Sequence, residues 1–129
     1  MSSRFALAVS LLAGAAIGAV AVGTLHAAGA PPAYIITEFS DVPDLAAFNE
    51  GTKKLGLPAS IAASGGKVVA RSDKLIALDG DLPKRFAIFS FDNADAAKGW
   101  YASAAGKALV EFRMKNSTSK SFIIEGMSP

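Results

Sequence analysis

The chain has 129 residues, 13 of them Lys or Arg and 11 Asp or Glu, with one His and no Cys. The absence of cysteine excludes a disulfide framework, and the only histidine, His26, lies beside a candidate cleavage site. The folded part therefore has no donors for ordinary zinc or haem sites and cannot build a Ser-His-Asp or Cys-His nucleophile.

Arg4 is the only charge before Glu38, and behind it runs an Ala- and Gly-rich apolar stretch from Phe5 to Val22. A short basic start, an apolar middle and small residues at Thr24-Leu25-His26-Ala27-Ala28 form the layout of a secretory signal peptide cut after Ala27 or Ala28. The alternative is an uncleaved anchor, because about 20 apolar residues cross a bilayer, and Gly14 and Gly18 have the spacing that lets membrane helices approach. The expected division is a leader over residues 1–28, a linker over 29–32 and one domain over 33–129. That domain would be exported, periplasmic or secreted, with membrane contact only if the leader is retained. Without Arg4 there remain 12 basic and 11 acidic side chains, a balance with no nucleic-acid footprint. About 100 residues make one domain with a limited core, which dimerisation would supplement.

Ala33–Phe39 reads as the first strand, with Tyr34, Ile36 and Glu38 on one face and Ile35, Thr37 and Phe39 on the other. A helix starts within Asp41–Asp44, with Asp41 as cap and Pro43 in the first turn, and buries Leu45, Phe48, Thr52 and Leu55. Pro58 is expected to interrupt it after Leu57, leaving a short segment through Ile61 and Ala62 that stops at Gly65-Gly66. Lys67–Arg71 is the second strand, with Lys74–Leu78 as a bent or hairpin extension and Asp79-Gly80 as a turn. Arg85–Phe91 is the third strand. Asn93 caps the next helix, whose inward face carries Ala97 and Trp100, with Tyr101 as a further candidate. A second helical piece, Gly106–Met114, follows the small-residue break at Ala102–Ala105, and Ser119–Glu125 closes the chain as the fourth strand. The order β-α-β-β-α-β is the ferredoxin-like α+β arrangement, a four-stranded antiparallel sheet with helices on one face.

From Ala33 to Gly126 the chain resembles the family called domain of unknown function 1330, of the dimeric α+β barrel superfamily. The resemblance rests on Ala33-Tyr34-Ile35-Ile36, on Gly65-Gly66 before a strand carrying Arg71, and on Leu78-Asp79-Gly80 followed by Pro83 and Arg85. Phe91, Ala96-Ala97, Trp100-Tyr101, Ser103, Arg113 and Ile123-Ile124-Glu125-Gly126 complete it. It implies a homodimer paired sheet to sheet around an interior able to hold a small organic molecule, and it supplies no reaction. Two departures stand out: Asp41-Val42-Pro43 replaces Asp-Pro, and Ser64 replaces the common histidine.

Glu38 is the candidate catalytic residue, a base or hydrogen-bond acceptor facing the interior beside Tyr34; the plainer reading is a rim carboxylate paired with Arg71, Arg85 or Arg113. The three arginines suit a carboxylate ligand through bidentate guanidinium geometry, or else tie the fold's own carboxylates. Trp100 and Tyr101 either line a pocket or pack on the sheet. Lys98, Lys107, Lys115 and Lys120 read as solvated. Asn116-Ser117-Thr118 matches a short glycosylation pattern and carries little weight. No calcium loop, phosphate loop or nucleophile elbow is present. The expectation is a binding protein for a small organic molecule, without cofactor or metal; the alternative is a cofactor-independent oxygenase or isomerase using Glu38 with Tyr or Arg partners.

Overall fold

The computed structural model describes residues 30–128. The expected leader, with its cleavage and anchor readings, lies outside the described residues. Among these residues no helix is long and apolar enough to cross a membrane. The elements are β1 (Ala33–Asp41), α1 (Leu45–Lys54), α2 (Leu57–Ala63), β2 (Lys67–Ser72), β3 (Arg85–Phe91), α3 (Ala94–Ala102), α4 (Ala104–Asn116) and β4 (Thr118–Glu125). The sheet order is β2-β3-β1-β4 with every neighbouring pair antiparallel. This is the ferredoxin-like fold expected from the element order.

The two central strands bury alternate side chains. Ala33, Ile35, Thr37 and Phe39 of β1 and Arg85, Ala87, Phe89 and Phe91 of β3 are all buried, and the residues between them are partly open. A strand points successive side chains to opposite faces, so these eight share the helix-covered side. Phe39 meets Phe48 edge-on at 5.5 Å and Phe48 meets Phe112 at 5.6 Å, which ties β1, α1 and α4. Trp100 of α3 packs on Phe89 and Phe91 at 5.9 and 6.2 Å.

The first helical stretch differs from expectation at two boundaries. Asp44, not Asp41, caps α1, its Oδ1 accepting from the Ala47 amide at 3.0 Å; Asp41 ends β1 and pairs with Lys84 at 3.5 Å. The break falls at Gly56, whose φ is 69°, and Pro58 sits in the first turn of α2, where its missing N–H has no helical partner to lose. That break exposes Leu55 and sends Leu57 into the core instead. Gly65 does end α2 as expected: with φ 76° it donates to Ala62 O at 3.0 Å while Gly66 donates to Ile61 O at 2.9 Å, the paired bonds of a Schellman stop.

Lys74–Leu78 does not extend β2; residues 73–84 form an irregular connection with Ile76 and Leu78 nearly fully exposed. The ladder ends at Ser72 opposite Phe86, because β3 begins only at Arg85 and Pro83 offers no amide to continue it.

The turn between α3 and α4 brings the two helices into tight contact. Ser103 Oγ donates to Trp100 O at 2.6 Å and accepts from Gly106 N at 3.1 Å, and a Cβ on Gly106 would overlap the Trp100 carbonyl. Main chain cannot swing aside as a flexible side chain can. Gly106→Ala is therefore expected to lower stability by about 2 kcal/mol, read as a fall in the urea midpoint at unchanged slope. An unchanged midpoint would show that the contact is not tight.

Candidate functional site

Three arginines enter the space between the sheet and the helices from different elements. Arg71 comes from the end of β2 opposite Ala87, Arg85 from the start of β3 opposite Phe39, and Arg113 from the last turns of α4. All three line one cavity of about 50 Å³, together with Trp100, Tyr101 and a largely apolar wall that includes Phe39, Phe48 and Phe89. A water needs roughly 10–15 Å³ on this measure, so the space holds a group of about three to five non-hydrogen atoms.

Each guanidinium is only partly satisfied by the protein. Arg71 Nη2 donates to Thr52 Oγ1 at 3.3 Å, Arg85 Nη2 to Asn49 Oδ1 at 3.2 Å, and Arg113 Nη1 to Ser119 Oγ at 2.7 Å. Arg85 is 5% exposed and Arg113 9%, and the Nε of Arg85 is buried with no hydrogen-bond partner. The ion pairs among the described residues go elsewhere, to Lys84–Asp41, Lys115–Glu111 and Lys120–Glu38.

Burial holds all three arginines below the ordinary guanidinium pKa. At Arg71 the positive charge of Arg85 pushes the same way; at Arg85 the negative charge of Asp73 opposes it, and at Arg113 the Tyr101 phenol opposes it. A lowered pKa means that the folded state holds the proton less tightly than the unfolded chain. The cost to stability is thus present at every pH below the folded value and is relieved only in strong alkali. Between pH 5 and 9 the groups stay charged, so the site is a permanent cationic pocket.

The remaining polar lining is hydroxyl. Ser121 Oγ donates to Ile36 O at 3.2 Å, which leaves Thr37 Oγ1 as the donor in their 2.7 Å contact. Trp100 serves both roles considered for it. Its ring is 3% exposed against the sheet and its Nε1 donates to Ser60 Oγ at 3.1 Å, and the same ring forms part of the cavity wall. Tyr101 is half-exposed and lines the cavity from the rim.

Glu38 and Tyr34 do not join this group. They stand in the opposite phase of β1, on the sheet face away from the helices, with Glu38 opposite Phe86 and Lys120. Its partner is Lys120 Nζ at 3.2 Å, not Arg71, Arg85 or Arg113. Lys98, Lys107, Lys115 and Lys120 are exposed as expected. The residues missed from sequence are the neutral ones, Asn49, Thr52, Thr37, Ser119 and Ser121. Thr37 carried a signal, a polar side chain in phase with Ile35 and Phe39; nothing marked Asn49.

A ferredoxin-like sheet with a cationic cavity under its helices defines a class of small α+β proteins. The chain belongs to the family described as Domain of unknown function (DUF1330), matched over residues 32–127. No curated protein matches it. Among solved structures it is similar to SnoaB, a cofactor-independent oxygenase from Streptomyces nogalater, at 18% identity and TM-score 0.55, covering 78% of this chain and 97% of that one. It is also similar to a protein of unknown function from Rhodopseudomonas palustris, at 16% identity and TM-score 0.53 over 77% and 85% of the two chains. A third, an ethyl tert-butyl ether d (ethd) family protein from Bacillus halodurans, has 17% identity and TM-score 0.53 over 74% and 99%.

Replacing an uncompensated buried ion by an apolar side chain of similar length tends to stabilise a fold by about 1–4 kcal/mol. Arg85→Met is accordingly expected to raise the urea midpoint by the equivalent of about 1–2 kcal/mol. A loss of about 3 kcal/mol or more would make Arg85 a structural tie.

Proposed function

We propose that the protein binds a small organic carboxylate in the cavity between sheet and helices, its anionic end held by Arg71, Arg85 and Arg113. The observation that carries this reading is the buried Nε of Arg85, without a partner among the described residues, beside two further guanidinium groups that no carboxylate among those residues pairs with. Leaving a buried donor unsatisfied costs about 1–3 kcal/mol, and like charges held together cost more. A carboxylate relieves both at once through paired, charge-assisted hydrogen bonds.

The fold shared with a cofactor-independent oxygenase keeps an enzyme as the second reading, by analogy of fold alone. Against it, among the described residues no carboxylate or imidazole lines the cavity, which leaves no strong general base beside the arginines. The lining suits a binder better than a catalyst.

Quenching or enhancement of the emission of Trp100, the only tryptophan in the chain, gives a direct titration. Benzoate and short alkanoates are expected to bind near neutral pH, with Arg85→Met and Arg113→Met weakening them about 10- to 100-fold, the value of hydrogen bonds to a charged group. Because the arginines stay charged, affinity should be flat from pH 6 to 9 and fall only as the ligand's own carboxyl protonates, near pH 4–5 for a group like a glutamate side chain. Binding that tracked a protein group near pH 7, or survived both substitutions, would refute the reading.

We also propose that the protein works as a homodimer joined through the open sheet face. Ile36, Phe86, Ile88, Phe122 and Ile124 lie there in register, with Phe122 47% and Ile124 52% exposed. Contiguous apolar surface of this kind marks an association site. Sedimentation of the domain is expected to give a dimer that Ile88→Asp converts to a folded monomer; a monomer before substitution would refute it.

A further inference from the structure

The cavity does not end under the helices. Tyr101, Ile35 and Ser121 are walls of the inner space and also of an outer groove of about 260 Å³, completed by Phe122 and Ile123 of β4. The inner space takes only a head group by its size, while the groove beyond it is several times larger and bounded mainly by apolar side chains. A second depression of about 360 Å³, between Val110, Met114 and the stems of Lys107, Glu111 and Lys115, also reaches Tyr101, but it shares only Tyr101 and Val110 with the inner space, whereas the groove shares Ile35, Tyr101 and Ser121.

We infer that the ligand is an amphipathic monocarboxylate of alkanoate or arylalkanoate type, its carboxylate among the three arginines and its apolar chain running past Tyr101 into the groove between α3 and β4. The inference rests on the carboxylate-binding reading above and adds the substrate class and its direction. Three features set that direction. The positive charges lie only at the inner end, where Arg85 is 5% exposed. The groove end offers Ile123, which is 37% exposed in phase with buried Ile35 and leaves apolar surface for a chain to cover, while Phe122 borders the groove from the open face. Ile35, Tyr101 and Ser121 are common to both spaces, and Tyr101, at 41% the exposed one of the three, places its ring at the neck between them.

The test is a chain-length series of acetate, butyrate, hexanoate and octanoate, titrated at pH 7 through Trp100 emission, with 1-octanol as the neutral control. Each methylene that enters the groove should tighten binding about fourfold until the groove is full. 1-Octanol should bind at least tenfold more weakly than octanoate on the unaltered protein. Ile123→Asp should flatten the series by placing a charge where the chain lies, whereas Arg85→Met should weaken every member by a common factor. A flat series that still responds to Arg85→Met would overturn the groove and leave the carboxylate site standing. A rising series in which octanol equals octanoate would overturn the charged head, and no binding by any member would overturn both.

Discussion

Side-chain alternation along β1 and β3 governs the rest of the structure. Once Ile35, Phe39, Phe89 and Phe91 are committed to the helix-covered side, every residue in phase with them follows, polar or not. Thr37 and Arg85 are carried under the helices by that register, and Glu38 is carried away from them. A shift of one residue would reverse all of these at once and expose four large apolar groups, so the register is strongly held. The cationic pocket is thus a consequence of the same pattern that builds the core.

The pocket works against the stability of the fold. A small domain has little margin, and burying guanidinium groups with no carboxylate against them spends part of it. Asn49, Thr52 and Ser119 each take one donor, enough to orient the arginines and too little to satisfy them. An incompletely satisfied, pre-oriented set of donors is the arrangement expected of a site that waits for an anion, because side chains already held lose less freedom on binding. The aromatic walls complete it, with Trp100 fixed from behind by Ser60 and Tyr101 left at the rim.

Much of the fold was legible in the residues. The third strand, the Asn93 cap and the Gly65-Gly66 stop are local signals, and local geometry realises each of them. The misread places depend on context. Lys74–Leu78 has the composition of a strand but no partner beyond Ser72, and Asp41 and Asp44 are equally good caps until β1 claims the first. For the site, period two already separated Glu38 from Phe39, and the same count from Phe91 places Arg85 with the core. Period two leaves open which face the helices cover, and so whether Glu38 or Arg85 stands beneath them. Asn49, reaching Arg85 across the α1–β3 packing, had no sequence signal at all.

The open face gives the other side of the sheet its own role. Ile36 stands between Ile88 and Phe122, so apolar residues run across three strands where no helix among the described residues covers them. Association there and anion binding beneath the helices use opposite faces of one sheet, and only Phe122, on the edge strand β4, borders both. The most direct test of the central claim is a crystal structure of the protein with 4-bromobenzoate, whose bromine is located by anomalous scattering. The account predicts the carboxylate within hydrogen-bond distance of Arg85 Nε and Arg113, with the bromine toward Tyr101; bromine on the open sheet face, or none bound, would contradict it.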